Sequence, residues 1–304
     1  MQEDIILQVQ DLKKHFGSVH AVDGVSINVH RGQVYGFLGP NGSGKTTTIG
    51  MILGLIHPSE GRVTLFGKTV SPSQTGSLRK VGALIGAPSL VPYLSARQNL
   101  ELVARLSPGL PAGRIDEILQ IVGLKEAANR QASKFSTGMK QRLGLGMAIL
   151  HKPELLILDE PTNGMDPAGM RDIRNLIMML ADQGVTVFIS SHLLHEVEQI
   201  CDRVAVLKQG KIIAEGEVKD LLGTMATVHV RVPCTNLATN CLNKLKSITA
   251  IKSNGSYLVI SGVSSQDVIA HLTANNIIPS EVSRGGSDLE SIFLELTEGK
   301  SKEM

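Results

Sequence analysis

The chain contains the segment Gly39-Pro40-Asn41-Gly42-Ser43-Gly44-Lys45-Thr46, which fits the phosphate-loop pattern G-x-x-x-x-G-K-[ST]. Glycines in this pattern allow the backbone to wrap a phosphate group so that several N–H groups point inward. Lys45 is expected to reach the β- and γ-phosphates, and the Thr46 hydroxyl can ligate Mg²⁺. We therefore predict that this segment and the adjoining Thr47 bind the phosphates of a nucleotide.

The segments on either side of this loop have the periodicity that such a site requires. Val34 to Leu38 is a short apolar run that predicts a strand, and Thr46 to Ile56 has the length of a helix that His57-Pro58 would end. A strand followed by a helix places the positive end of the helix dipole at the phosphates. This context disfavours a chance match to the pattern.

A second chemical signal comes from two acidic residues that end an apolar run. Residues 155–160 read Leu-Leu-Ile-Leu-Asp-Glu, which predicts a buried strand followed by two carboxylates. Ligands of open parallel sheets bind beyond the carboxyl ends of the strands. We predict that Asp159 holds Mg²⁺, directly or through water, and that Glu160 polarises an attacking water. An acidic pair on the surface is the alternative, which the preceding aliphatic run disfavours.

Apolar runs and helical patterns alternate along most of the chain. Near the N-terminus, Ile5 to Val9 and Val25 to Val29 read as strands. Val81 to Ile85, Leu155 to Leu158 and Val185 to Ile189 are continuous apolar runs, which suit parallel strands buried on both faces. The sequence therefore predicts an α/β fold.

The composition excludes several classes of protein. With 304 residues, 42% hydrophobic and 19% charged, the chain can fold as one large domain or as a medium domain plus a smaller one. A net charge of +2 does not favour nucleic acid or an anionic membrane as the partner. Three cysteines without a C-x-x-C pair argue against a disulfide framework or a zinc finger and fit a reducing compartment.

The sequence also gives an expectation about location. The apolar runs are all shorter than the roughly 18 residues that span a bilayer. The first residues, Met-Gln-Glu-Asp, lack the basic and then apolar order of a signal peptide. We therefore expect a cytoplasmic chain.

A short segment ahead of the acidic strand reads Phe135-Ser136-Thr137-Gly138-Met139-Lys140-Gln141-Arg142. Together with the phosphate loop and Asp159, it resembles the L-S-G-G-Q signature of the ATP-binding subunits of ABC transporters, from which it departs at its first, third and fifth positions. A serine at a helix start can offer its hydroxyl, backbone N–H groups and a positive dipole end to a phosphate. A plain helix-capping serine is the alternative. The resemblance implies that these residues contact ATP held by a second subunit: Ser136, Thr137, Gly138 and Met139.

Three more positions resemble motifs of the same family. Asp166 ends the segment N-G-M-D, which stands where the family has its D-loop. His192 follows an apolar strand and matches the switch histidine that contacts the γ-phosphate. Phe16 matches the aromatic residue that stacks on adenine. Two alternatives remain, namely a core role for Phe16 and a metal site that combines His192 with His195 and Glu196.

One position departs sharply from the family. The segment V-G-A-L-I-G-A-P, residues 81–88, lies where the family places its Q-loop, and the expected Gln or Glu corresponds to Gly86. A glycine cannot ligate Mg²⁺ or position water through a side chain. Either that contact is absent here or the correspondence is shifted by a residue. We therefore do not include Gly86 in the predicted site.

The resemblance implies the fold of an ABC ATPase, a P-loop NTPase domain with a mixed sheet at its core. An antiparallel β subdomain near the N-terminus and a helical subdomain over about 93–150 complete it. We place this ATP-binding domain at residues 1–222 and a small accessory α+β domain at residues 223–304. A helix over Asp288 to Leu296 is expected near its end.

The implied function is ATP hydrolysis that drives a transporter, with ATP and Mg²⁺ as cofactors and with Glu160 and His192 as catalytic residues. A single set of motifs implies a head-to-tail dimer, with a copy of the chain or a relative. The absence of a predicted membrane span implies a separate permease, which would hold the chain at the inner face of the cell membrane. Asp288 to Thr297 is similar to the ending of drug and antibiotic exporter ATPases of the bacitracin and daunorubicin type.

Two other functions remain open. One is an ABC ATPase that acts on nucleic acid or ribosomes without transport, but the sequence has neither a duplicated cassette nor a basic arm. The other is a module that holds ATP without turnover, which Gly86 favours and which the retained Lys45, Asp159 and Glu160 disfavour. The transported compound is not encoded in this chain, because in the family it contacts the permease.

Overall fold

A computed structural model describes residues 4–285 apart from positions 72, 74, 108, 225, 226, 246, 249 and 256. The chain divides into two compact units, Met1–Glu215 and Gly216–Met304. The boundary predicted from the sequence lies a few residues later, after residue 222. The predicted helix over Asp288 to Leu296 lies outside the described residues.

The first unit combines two sheets with helices that connect their strands. Its strands are β1 (Ile5–Phe16), β2 (Val19–His30), β3 (Val34–Leu38), β4 (Glu60–Leu65), β5 (Lys68–Thr69), β6 (Val81–Ile85), β7 (Leu155–Asp159), β8 (Thr186–Ser191), β9 (Arg203–Lys208) and β10 (Lys211–Glu217). Its α-helices are α1 (Lys45–Ile52), α2 (Ala96–Ala104), α3 (Arg114–Ile121), α4 (Thr137–Ile149), α5 (Pro167–Asp182) and α6 (Leu194–Ile200).

The two sheets have different topologies. An antiparallel sheet has the order β2-β1-β4-β5, and a mixed sheet has the order β10-β9-β3-β8-β7-β6. In the mixed sheet β6, β7, β8, β3 and β9 are paired in parallel. Strands β3, β7 and β8 are buried along their whole length, as expected for parallel strands covered on both faces. Their carboxyl ends therefore meet at one edge.

The helical subdomain predicted over about 93–150 contains α2, α3 and α4, between β6 and β7. Ser95 begins α2 with a reciprocal capping box, in which its hydroxyl accepts from the N–H of Gln98 and the Gln98 side chain accepts from the N–H of Ser95. Arg114 at the start of α3 is buried, and its guanidinium donates to the carbonyls of Ile149 and Leu150. These bonds hold α3 against the end of α4.

The second unit has the βαββαβ arrangement of a ferredoxin-like fold. After helix α7 (Val218–Thr224), its elements are β11 (Thr227–Arg231), α8 (Thr235–Leu242), β12 (Ala250–Asn254), β13 (Tyr257–Ser261), α9 (Ser265–Ala274) and β14 (Glu281–Gly285). The strand order is β12-β13-β11-β14, and neighbouring strands pair antiparallel. A separate apolar core includes Val230, Leu242, Leu258 and Leu272. The expectation of a small α+β region is confirmed.

Three sequence predictions of local structure need correction. The two N-terminal strands are each 12 residues long, well beyond the predicted Ile5 to Val9 and Val25 to Val29. Helix α1 ends at Ile52 instead of Ile56, because Gly54 adopts a left-handed conformation with φ of 68° and its N–H bonds to the carbonyl of Met51.

Among the described residues, the helices are too short or too polar to cross a membrane.

Candidate nucleotide site

The phosphate loop joins β3 to α1 and depends on its glycines. Gly42 and Gly44 have φ values of 80° and 106°, which side chains of L-residues rarely adopt. A Cβ at Gly44 would lie 2.4 Å from the carbonyl oxygen of Ala21, and one at Gly39 would lie 2.3 Å from that of Leu207. The glycines therefore permit both the turn itself and its close approach to the neighbouring backbone.

Lys45 lies inside this loop and is largely buried, with 5% of its side chain exposed. Its Nζ donates to the carbonyl oxygens of Gly39 at 2.7 Å and Pro40 at 3.3 Å. It also lies 3.1 Å from Oε1 of Glu160. The loop therefore presents a fixed positive charge at the start of α1.

Ser43 supplies a test of whether the loop fits a phosphate. Its hydroxyl is buried and has no hydrogen-bond partner among the described residues, a condition that native proteins rarely leave unmet. The Ser43 carbonyl accepts from the N–H of Gly210, which fixes the loop to the turn between β9 and β10. A phosphate oxygen would satisfy the free hydroxyl, so the residues present fit the predicted ligand.

Thr46 and Asp159 meet at the carboxyl edge of the mixed sheet. The Thr46 hydroxyl donates to Oδ2 of Asp159 at 2.9 Å, and Asp159 is buried at the end of β7. Hydroxyl and carboxylate oxygens are ligands that Mg²⁺ accepts, together with phosphate oxygens and water. The described residues contain no group of three or more His, Cys, Asp or Glu side chains that could hold a metal alone. A cation here would therefore need further ligands from a bound phosphate or from water.

Glu160 and His192 form the next pair along the same edge. Nδ1 of His192 lies 2.9 Å from Oε2 of Glu160, whose other oxygen contacts Lys45. The structure thus brings Lys45, Glu160 and His192 into one continuous chain of polar contacts. A carboxylate held between a lysine and a histidine beside a phosphate loop can orient and polarise a water molecule.

The alternative metal site at His192 is not supported. His195 pairs instead with the Gln199 side chain at 2.7 Å, and Glu196 pairs with Arg174 at 3.3 Å. These partners draw the two side chains into separate contacts. The described residues also contain no larger cluster of metal-binding side chains.

Phe16 lies at the end of β1 with 51% of its surface exposed. Lys14 Nζ is 5.0 Å from the ring centroid, within the range of a cation–π contact. The alternative of a core phenylalanine is therefore wrong. An exposed ring at a hairpin end is available to stack on a flat ligand, and its contact with adenine stays a prediction.

The signature segment and the D-loop lie beside each other. Ser136 caps α4 and accepts from the N–H of Met139 at 3.2 Å, and Asp166 caps α5 and accepts from the N–H of Gly169 at 3.3 Å. The two helix starts line a concave surface of about 370 Å³, which includes Thr137 and Gly138 but none of the phosphate-loop residues. The structure therefore does not bring the signature segment to the phosphate loop of the same chain.

Gly86 directly follows β6, where Ile85 pairs with Asp159 of β7. It has a φ of 58°, and a Cβ placed on it would meet nothing within 4 Å. The position therefore lies beside the acidic strand end. Gly86 therefore contributes a left-handed turn of the backbone at this place and no side chain.

Sequence reasoning missed Ser190. Its hydroxyl donates to Oδ1 of Asp159 at 2.5 Å and accepts from the N–H of Glu160 at 3.1 Å. The only available signal was its place two residues before His192, at the end of a predicted strand. Its contacts depend on how β7 and β8 are paired, which the sequence pattern did not specify.

Comparisons with known proteins agree with this geometry. Residues 22–163 match the family model described as ABC transporter. The chain is 47% identical over 211 residues to the bacitracin transport ATP-binding protein BcrA of Bacillus licheniformis, a match covering 69% of each chain. The chain belongs to the ABC transporter family. The linearmycin resistance ATP-binding protein LnrL of Bacillus subtilis is 35% identical to it, over 96% of this chain and 98% of the relative.

Solved structures of ABC cassettes have the same fold. A nucleotide-free ATP-binding cassette of an ABC transporter superposes with a TM-score of 0.64 at 30% identity, covering 70% of this chain and 91% of the other. The ADP conformation of the cassette MJ1267 gives a TM-score of 0.65 at 30% identity, covering 72% and 94%. The predicted fold of an ABC ATPase is therefore confirmed, and the chain is the ATPase subunit of a transporter.

Proposed function

We propose that this ABC ATPase powers the export of an antibiotic or another amphipathic compound through a separate permease. The main structural support for ATP hydrolysis is the contact of Glu160 with both Lys45 and His192, beside the phosphate loop. The direction of transport and the class of cargo rest on the similarity to bacitracin and linearmycin relatives.

Mg²⁺ is the proposed second cofactor, held by Thr46 and Asp159. Bound there, it would neutralise charge on the phosphate oxygens. Lys45 would bind the same phosphates from inside the loop, and the buried Ser43 hydroxyl would donate to them. A γ-phosphate bound at Lys45 would lie near the Glu160 carboxylate, because Lys45 also contacts Glu160, and this carboxylate would orient the attacking water.

The position of the signature segment supports the proposal of a head-to-tail dimer. Ser136 and its neighbours form a surface with Asp166, apart from the phosphate loop. A second copy that offers this surface to ATP on the first would complete the site. The start of α4 presents a helix dipole, whose positive end favours a phosphate. We propose a homodimer in which each phosphate loop faces the signature segment of the other subunit.

The permease would dock on the helical subdomain. A groove of about 470 Å³ is lined mainly by apolar or small residues, among them Leu84, Pro88, Val103 and Met147. Near it, Leu106 is 82% exposed, the highest value among the large apolar side chains that the structure describes. Exposed apolar side chains beside an apolar groove are typical of interaction surfaces. A permease segment that covered this groove would hold the chain at the inner face of the membrane.

Two matched leucine variants test the docking surface. Leu106→Ser removes an exposed apolar side chain beside the groove, whereas Leu55→Ser removes one that is 70% exposed just after α1. Purification of the tagged permease partner should recover Leu55→Ser at the wild-type level and much less Leu106→Ser. Equal recovery of both variants would contradict this surface.

Antibiotic resistance tests the export function. A sensitive host should gain resistance to a bacitracin-type peptide or to another amphipathic antibiotic when it expresses the ATPase with its permease. The same host with Glu160→Gln should not gain it, although the complex is present. Resistance that is independent of Glu160 would contradict ATP-driven export. Copurification with ribosomes instead of a permease would favour the ABC ATPases that act without transport.

A further inference from the structure

Ser190 is a buried residue of β8 whose hydroxyl makes two contacts in the nucleotide site. It donates to Oδ1 of Asp159 at 2.5 Å. It also accepts from the backbone N–H of Glu160 at 3.1 Å. One hydroxyl therefore contacts both Asp159, the last residue of β7 and the proposed Mg²⁺ ligand, and Glu160, the next residue and the proposed base.

The pairing of the strands explains this position. Asp159 is directly opposite Ser190 in the parallel register of β7 and β8. Directly paired residues of neighbouring strands carry their side chains on the same face of the sheet. The Ser190 hydroxyl and the Asp159 carboxylate therefore meet on one face of the sheet, where both residues are buried.

The contact with Asp159 fixes one oxygen and leaves the other for the site. Oδ1 accepts from Ser190, while Oδ2 accepts from the Thr46 hydroxyl. The terminal torsion of an aspartate is otherwise broad, so a carboxylate without such partners can rotate. Ser190 thereby sets the direction in which Oδ2 faces Thr46.

The contact with Glu160 supports an unusual backbone turn. Glu160 has a φ of 49°, a left-handed conformation that residues other than glycine adopt at a cost. Its N–H bonds to both the carbonyl oxygen and the hydroxyl of Ser190, at 3.2 Å and 3.1 Å. These two bonds hold the turn that directs the Glu160 side chain to Lys45 and His192.

We propose that Ser190 is a positioning residue for Mg²⁺, because its hydroxyl fixes Asp159 in the orientation that the metal requires. The proposal rests on the Mg²⁺ site of the proposed function. Partners of metal ligands that do not touch the metal typically account for about 10- to 100-fold of metal affinity or activity. We expect a loss of this size when the hydroxyl is removed.

The test compares Ser190→Ala with Thr186→Val, which removes another buried hydroxyl from β8. Thr186 is at the opposite end of the strand and accepts from the N–H of Gly32 at 2.8 Å. Affinity for a fluorescent ATP analogue is measured by titration with Mg²⁺ and again in EDTA. Ser190→Ala should reduce the gain in affinity that Mg²⁺ provides by about 10-fold or more and leave the EDTA value unchanged. Thr186→Val should keep the wild-type gain.

Two more variants separate the hydroxyl from packing. Ser190→Thr keeps a hydroxyl and should restore the Mg²⁺ response, whereas Ser190→Cys keeps the size with a weak donor and should not. Ser190→Cys also serves if Ser190→Ala fails to fold. An unchanged Mg²⁺ response in the folded Ala or Cys variant would overturn the role of Ser190. Wild-type protein without any Mg²⁺ response would overturn the Mg²⁺ site itself.

Discussion

Lys45 and Glu160 form an ion pair at the centre of the nucleotide site, with Nζ of the lysine 3.1 Å from Oε1 of the glutamate. Both side chains are largely buried, so removing either leaves an uncompensated charge. The pair joins the cation of the phosphate loop to the residue proposed to act on water. Substitutions at either position therefore need a stability control beside the functional measurement.

Lys45→Ala should weaken ATP binding strongly. It removes the only lysine of the phosphate loop, and hydrogen bonds to charged groups contribute about 1.5–3 kcal/mol each, or roughly 10- to 100-fold in affinity. Equilibrium titration with labelled ATP measures the effect. Lys68→Ala, on exposed strand β5, is the matched control and should bind normally. Near-normal affinity and turnover of folded Lys45→Ala would refute the assignment of this loop.

Gly86→Gln should keep or raise ATPase activity. A Cβ placed at this position would meet nothing within 4 Å, although the left-handed φ of 58° adds a strain of about 1–2 kcal/mol. Gly86→Ala carries the same strain without the amide and serves as the control. Thermal melting should show similar losses in both variants. If both fold and both lose activity, glycine itself is needed for the backbone conformation.

A chain that ends after Glu217 should fold and bind ATP. Every predicted nucleotide residue precedes that point, strand β10 remains whole, and the residues of the second unit have an apolar core of their own. Circular dichroism melting and ATP titration of the shortened chain measure both properties. Global unfolding would contradict a domain boundary in this region.

Glu154→Gln should lower stability in a pH-dependent way. Contacts with Lys80 at 2.6 Å and Arg31 at 2.7 Å lower the pKa of the Glu154 carboxyl below its ordinary value. A lowered pKa stabilises the fold above the unfolded value of about 4.3, and this contribution is lost as the pH falls through the folded value. Melting temperature should fall by about 1–4 °C at pH 7, and the difference from wild type should shrink steadily as the pH falls below about 4.3. A difference that stays constant from pH 7 down to the lowest pH at which both proteins fold would contradict the ion pairs.

Much of the fold could be predicted from local patterns. Strands β3 and β6 begin and end where their apolar runs do, because both strands are buried along most of their length. Strands β1 and β2 were underestimated, since polar residues alternate with buried ones such as Leu12 and Val22 at their ends. Helix α5 was predicted only as a helical pattern without bounds, although Asp166-Pro167 and the apolar spacing from Ile173 to Leu180 indicate where it begins and which face it buries.

The site residues could be predicted only where a sequence motif includes them. The phosphate loop and the acidic strand end are each a continuous stretch of sequence, so the local pattern was enough to identify them. The contacts of Ser190 and the pairing of Lys45 with Glu160 depend on the register of β7 against β8 and on the position of α1. Such long-range geometry leaves no periodic trace in the sequence.

Glu160→Gln separates hydrolysis from binding. The change keeps the size and a hydrogen-bonding oxygen but removes the charge and the basicity, and loss of such a base typically lowers the rate about 10²- to 10⁴-fold. ATP affinity should persist or rise, because Lys45 no longer shares its charge with a carboxylate. Size-exclusion chromatography with MgATP should show an accumulated dimer, because hydrolysis is expected to separate the two subunits. A monomer under these conditions would contradict the proposed head-to-tail dimer but not the role of Glu160 in hydrolysis.

The most direct measurement is steady-state phosphate release by Glu160→Gln beside wild type and Glu126→Gln, which changes an exposed glutamate of the helical subdomain. We predict wild-type turnover for Glu126→Gln and at least about 100-fold slower turnover for Glu160→Gln, with ATP still bound. Wild-type turnover by folded, ATP-bound Glu160→Gln would contradict the assignment of this carboxylate as the group that acts on water.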